Sequence, residues 1–183
     1  TGRMAHNSPN MAQVPASYSP YGKECRSLWT VSNLDTHTLI GTDASGLELR
    51  CLAHYMNDPV FTNEVLNGDV HTANMKAAGL TDRDQAKTFI YAFLYGAGAA
   101  KIGKVVGGSA KAGQQLITKF LSNMPKLKEL RENIIEASQV GTISALDGRL
   151  LHIRADYASL NTLLQGAGAI ICKQWLVHIM ERI

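Results

Sequence analysis

Long apolar runs are missing from this chain. No stretch reaches the roughly 20 residues that cross a bilayer, and no basic-then-apolar leader opens it, so neither a membrane span nor a secretory signal is predicted. Cysteine is scarce: Cys25, Cys51 and Cys172 are odd in number, far apart and free of any CxxC pair. That excludes a disulfide framework and suits reduced thiols in a cytosolic compartment. Cys51 and His54 supply only half a zinc site, so a core cysteine beside a partly exposed histidine is expected. Internal repeats and low-complexity segments are absent as well, which argues against solenoids and linkers.

The 183 residues, 45% apolar, are enough to bury a real core. The net charge of +3 is small, but its distribution is uneven. Residues 101–132 carry a local +5 and residues 38–100 a local −3, as expected for phosphates near one surface and metal ions near another, or for solvated helix faces. Residues 1–37, with Pro9, Pro15 and Pro20, read as an extended, loop-rich lead-in. Thr38 to Asp43 reads as a short central strand and Leu47 to Met56 as a helix stopped by Asp58-Pro59. Asp69 and Asp82 are N-cap candidates, the second for a helix over 82–96. Further helices are predicted over 110–122 and 125–138, then strands over 142–146 and 149–153 around Asp147-Gly148, then a long apolar helix from Asp156. The pattern is α-rich α+β with a small antiparallel sheet.

Two residue constellations carry chemistry. Arg83, Lys87 and Tyr91 stand at i, i+4 and i+8, so on a helix they form one slanting stripe of two cations and a ring. Such a stripe suits a nucleoside triphosphate, with phosphates on the charges and the base toward the ring; the plain alternative is an amphipathic helix with two solvated charges. Ala86, Phe89, Ile90 and Phe93 fall on the opposite side and would anchor the helix to a core. Forty residues earlier, Asp43-Ala44-Ser45-Gly46-Leu47-Glu48-Leu49-Arg50 follows the predicted strand.

Here the chain resembles the family A DNA polymerases, the group of bacterial polymerase I and podovirus-type phage replicative polymerases. The Asp-x-Ser-x-x-Glu-Leu-Arg run at 43–50 is similar to motif A of that family, and Arg83-x-x-x-Lys87-x-x-x-Tyr91-x-x-x-Tyr95-Gly96 to motif B. Thr1-Gly2-Arg3 with Pro9 to Pro15 resembles the segment before motif A, and Asn161 to Gln165 the helix before motif C. All four occur in the family's order. Ala44 and Gly46, where cellular members tend to carry Tyr and Gln, set the chain nearer the phage branch.

The resemblance implies a partial polymerase palm with an inserted helical fingers lobe. Residues 1–37 would lead in, 38–58 and 140–183 would belong to the palm, and 59–139 to the fingers. It implies template-dependent DNA synthesis with two Mg²⁺ ions, a dNTP and primer-template DNA, in the host cytoplasm for a phage enzyme; any processivity partner is unspecified. Asp43 and the backbone carbonyl of Ala44 would bind metal, although an Asp at this place also suits a helix cap. Glu48 would exclude the ribose 2′-hydroxyl. Arg83, Lys87 and His71 would hold phosphates, Tyr91 would stack on base and sugar, and Tyr95 would fill the template-base position in an open state. Arg3, Asn161 and Gln165 would read the DNA minor groove, where acceptors recur in every base pair. Plain alternatives are a surface acid for Glu48, a surface histidine for His71, a core tyrosine for Tyr95 and a polar helix-interface pair for Asn161 and Gln165. The family's second metal carboxylate sits in a His-Asp-Glu run, which residues 1–183 lack. The chain therefore reads as a catalytically incomplete segment of a longer polypeptide. Two other classes fit less well: a non-catalytic basic nucleic-acid-binding module needs no acidic metal ligand, and single-subunit phage-type RNA polymerases usually lack the Glu at position 48.

Overall fold

A computed structural model describes residues 1–8, 10 and 13–182. Within the block Pro9 to Pro15, Pro9, Met11 and Ala12 lie outside the described residues. The chain forms two compact units, residues 4–45 and residues 1–3 with 46–183, and each is described by itself.

The smaller unit is mostly coil around one short helix, α1 (Gly22–Ser27). Gly22 is buried where a Cβ would overlap the Ala16 carbonyl, so only glycine permits this turn. The strand expected over Thr38–Asp43 does not form: among the described residues these have no ladder partner, and Leu39 and Ile40 are both exposed, at 65% and 82%. Their β-branched composition favours a pleated, half-buried surface, but it cannot make a strand without a neighbour.

The larger unit is helical. It comprises α2 (Leu47–Met56), α3 (Pro59–Asn67), α4 (Val70–Ala78), α5 (Arg83–Leu94), α6 (Ala99–Val105), α7 (Ala110–Asn123), α8 (Pro125–Ala137) and α9 (Ser159–Met180). Asp58, Asp69 and Asp82 begin α3, α4 and α5, each accepting two backbone N–H bonds from the first turn. These caps satisfy donors that the helix itself cannot. Helices α3 and α6, not anticipated above, are short, and α6 contains Gly103. One antiparallel hairpin, β1 (Thr142–Ser144) with β2 (Leu150–His152), pairs Ile143 with Leu151, both buried. Its strands are shorter than expected because the reversal takes in Ala145 to Arg149. The Gly148 N–H donates to Ala145 O, and Gly148 has φ 81°, the left-handed conformation glycine tolerates.

Helices α4 to α7 pack together, and α2 packs on α3 and α9. At the centre, Phe120 meets Phe89 and Phe93 edge-on, with ring centroids 5.1 and 5.6 Å apart, a favoured aromatic geometry. Arg131 lies 5.8 Å over Phe93. Among the described residues, no helix is long and apolar enough to cross a membrane.

Helices α6 and α7 approach through glycine: a Cβ at Gly113 would overlap Ala99 O, and one at Gly103 would overlap Ser109 O. Gly113→Ala forces the backbones apart, and overpacking of this kind costs ~1–3 kcal/mol. Denaturant unfolding is expected to show that loss; an unchanged midpoint would refute the close approach.

Candidate functional site

Helix α5 presents the stripe as the spacing requires. Asp82 caps it, accepting from the N–H groups of Asp84 (2.8 Å) and Gln85 (3.3 Å). Ala86, Phe89 and Ile90 are fully buried and Phe93 nearly so, which turns Arg83 and Lys87 to solvent and leaves Tyr91 half-buried. Gly96 follows with φ 76°, where a Cβ would lie 2.6 Å from Tyr157 O. Glycine thus lets the end of α5 close onto the residues that precede α9.

The start of α4 lies alongside the cationic end. Arg83 donates to Asp69 twice, Nε to Oδ2 at 2.7 Å and Nη2 to Oδ1 at 3.0 Å. That bidentate guanidinium holds the Asp69 carboxyl well below the usual carboxylate range. The His71 ring sits 6.1 Å from the Tyr91 ring, and its Nδ1 is buried with no partner among the described residues. Burial, reinforced by the charges of Arg83 and Lys87, lowers the His71 pKa from 6.5.

At the other end of the stripe, Tyr95 stacks on Tyr91, with centroids 6.3 Å apart and planes at 29°. Its hydroxyl donates to Glu48 Oε1 at 3.3 Å. Tyr95 is 45% exposed, so it is not a core tyrosine. Burial and the Glu48 carboxylate raise the pKa of both tyrosines, whereas Arg3 acts to lower that of Tyr95. Glu48 also contributes, after burial, to pushing the Cys51 thiol up to about 11, which leaves that core cysteine protonated. His71, Tyr91, Tyr95 and Glu48 therefore form a continuous path from α4 across α5 to α2.

Asn161 and Gln165 share one face of α9 and are both half-buried, and Asn161 Oδ1 is buried without a partner among the described residues. Beside them, a Cβ at Gly166 would lie 2.8 Å from Leu151 Cδ1 and one at Gly168 3.3 Å from Leu47 Cδ2. These glycines admit leucine side chains. The next residue, Thr162, lines a cavity of about 500 Å³ with Thr1, Gly2, Arg149, His152 and Arg154. Sequence reading missed this basic hollow, although Arg149 and Arg154 bracket the strand after the Asp147-Gly148 turn. It also took Asp69 only for a cap, because pairing with Arg83, fourteen residues on, leaves no periodic trace.

Asp43 and Ala44 belong to the smaller unit, in coil, with Asp43 exposed. Among the described residues, no group of three or more His, Cys, Asp or Glu side chains is placed to hold a metal ion.

Such a fold has a clear class. It resembles a solved structure described as the POL domain of Pol1 from M. smegmatis in complex with DNA primer-template and dNTP. The TM-score is 0.73 at 19% identity, over 93% of this chain and 34% of that one; this is a polymerase-domain fold. The DNA polymerase family A pattern matches residues 1–183, and the chain belongs to that family. It is 48% identical to the DNA-directed DNA polymerases of Enterobacteria phage T3 and Escherichia phage T7, over 99% of its length. DNA polymerase I of Helicobacter pylori is 26% identical over the whole chain. The chain spans 29% of the length of each of those two phage relatives.

The lowered His71 pKa carries a sign for stability. Above 6.5 the imidazole is neutral whether the chain is folded or unfolded. As pH falls below 6.5 the unfolded chain takes up the proton first, so stability declines toward the lower folded pKa. An NMR titration of the His71 ring is expected to give a midpoint below 6.5. One at or above 6.5 would contradict the burial described.

Proposed function

We propose that this chain is the nucleotide- and DNA-handling part of a phage-type DNA-directed DNA polymerase, acting in host cytoplasm. It would serve template-dependent addition of deoxynucleotides to a primer 3′-hydroxyl. In this reading residues 38–58 and 140–183 are palm, 59–139 fingers, and 1–37 the lead-in. The observation that carries it is the α5 stripe, with two cations at one end and a tyrosine bonded to Glu48 at the other.

Arg83 and Lys87 hold the β- and γ-phosphates through charge-assisted bonds that strengthen as charge moves onto the leaving group. His71 joins them as a neutral ring. Tyr91 supports base and sugar, and Tyr95 occupies the template-base position until the base arrives. Glu48, fixed by Tyr95, closes the pocket at the sugar edge and disfavours a 2′-hydroxyl. Arg3, Asn161 and Gln165 face the minor groove, and the half-buried Asn161 and Gln165 offer donors that check pair geometry without reading sequence.

Asp43 and the Ala44 carbonyl are hard oxygen donors that suit Mg²⁺, but they form only part of a coordination shell. A two-ion centre needs more carboxylates than the described residues cluster. When bound, such ions would supply charge neutralisation at the attacking and leaving oxygens.

Binding of dNTP against rNTP with Mg²⁺ present separates the readings. A DNA polymerase segment prefers dNTP, an RNA polymerase segment does not, and a plain nucleic-acid binder takes neither. Glu48→Ala is expected to shrink the deoxy preference about tenfold or more; unchanged sugar discrimination would remove Glu48 from the sugar pocket. In competition between dideoxy- and deoxynucleotides, Tyr91→Phe is expected to weaken dideoxynucleotide acceptance. Equal acceptance by both proteins would refute that role.

A further inference from the structure

Resting on the assignment of Arg83 to phosphate, we infer that Asp69 is a positioning residue that fixes one edge of the Arg83 guanidinium and leaves the other edge for the nucleotide phosphates. A guanidinium carries five N–H donors. Asp69 takes one from Nε and one from Nη2; among the described residues, the two on Nη1 and the second on Nη2 bond to nothing. Two of those three, one on each Nη, point the same way and make a second forked edge, the geometry that phosphate oxygens accept.

Asp69 is itself tied down by hydrogen bonds to the first turn of α4. Its Oδ1 accepts from the N–H groups of His71 (3.1 Å) and Thr72 (3.3 Å), and its Oδ2 from Thr72 Oγ1 (2.8 Å). The carboxylate is therefore a fixed point on α4 against which a long side chain on α5 is set. Capping alone does not account for this. Asp58 and Asp82 cap α3 and α5 in the same way, and among the described residues neither is hydrogen-bonded to a cation. The same carboxylate binds the backbone of His71, so one anion sets the spacing of two proposed phosphate ligands.

The sign of the test is diagnostic. Removing a negative charge beside an anion site strengthens anion binding by simple Coulomb attraction, whereas losing a positioning group weakens it. Asp69→Asn keeps a good N-cap, so its unfolding midpoint is expected to match the wild type; Asp69→Ser, also a capping residue, serves if Asn does not fold. Calorimetric titration with inorganic tripolyphosphate is expected to show Arg83→Gln binding about tenfold or more weakly. Asp69→Asn is expected to bind roughly three- to tenfold more weakly, with that loss abolished or reversed in the Arg83→Gln background. The NMR signal of the Arg83 Nε–H is expected to stay protected with and without tripolyphosphate, and to lose protection in Asp69→Asn. Equal or tighter binding by Asp69→Asn, with Arg83→Gln still weakened, overturns the positioning role and leaves the phosphate role of Arg83 standing. No effect of Arg83→Gln overturns that phosphate role, and Asp69 then has nothing to position.

Discussion

The buried face of α5 is the constraint on which the site depends. Fully burying a phenylalanine or isoleucine side chain is worth ~1.5–3 kcal/mol, and Phe89 and Ile90 are wholly inside with Phe93 close to it. An exposed ion pair contributes only ~0–1 kcal/mol. The rotation of α5 about its axis is therefore decided by Phe89, Phe93 and Phe120, not by the contacts of Arg83. With that rotation fixed, the four-residue spacing of Arg83, Lys87, Tyr91 and Tyr95 has one outcome: the stripe faces outward. Its charges meet α4, and its last ring meets the start of α2.

The two ends of the stripe are held by different chemistry. At the Arg83 end, a charged pair of about half-exposed side chains gives direction at little net stability. At the Tyr95 end, the contact is a hydroxyl donated to a half-buried carboxylate. Burial and that neighbouring negative charge both oppose ionisation of the phenol, so Tyr95 remains a donor across the ordinary pH range. The pair therefore keeps one polarity, with Glu48 as acceptor.

Much of this was legible in the sequence because it depends on local rules. The Asp82 cap, the apolar set Ala86, Phe89, Ile90 and Phe93, and the helix Leu47–Met56 each follow from spacing or capping within about a dozen residues. The failures depend on distant partners. Residues 38–43 have strand composition, but strand formation needs a ladder that the described residues do not provide. The pairing of Asp69 with Arg83 and the hollow shared by Thr1, Arg149 and Thr162 join residues without any common period. That Gly166 and Gly168 admit Leu151 and Leu47 is likewise revealed only by packing.

Unsatisfied polar groups show where the fold has accepted a cost. A buried donor or acceptor without a partner loses ~1–3 kcal/mol, and native interiors hold few of them. Among the described residues the unpartnered atoms are Tyr55 Oη, His71 Nδ1, both amide atoms of Asn74 and Asn161 Oδ1. His71 and Asn74 lie one turn apart on α4, so an apolar pair would pack the same helix more cheaply. His71 and Asn161 are also among the residues proposed above to contact nucleotide and DNA. Departures from local consistency concentrate where a sequence serves something besides folding. The cost at His71 and Asn161 thus points the same way as that proposal. Asn74, only 1% exposed, has no such counterpart among the motif residues. Its burial must be balanced by the core packing of α4 against α5 and α7.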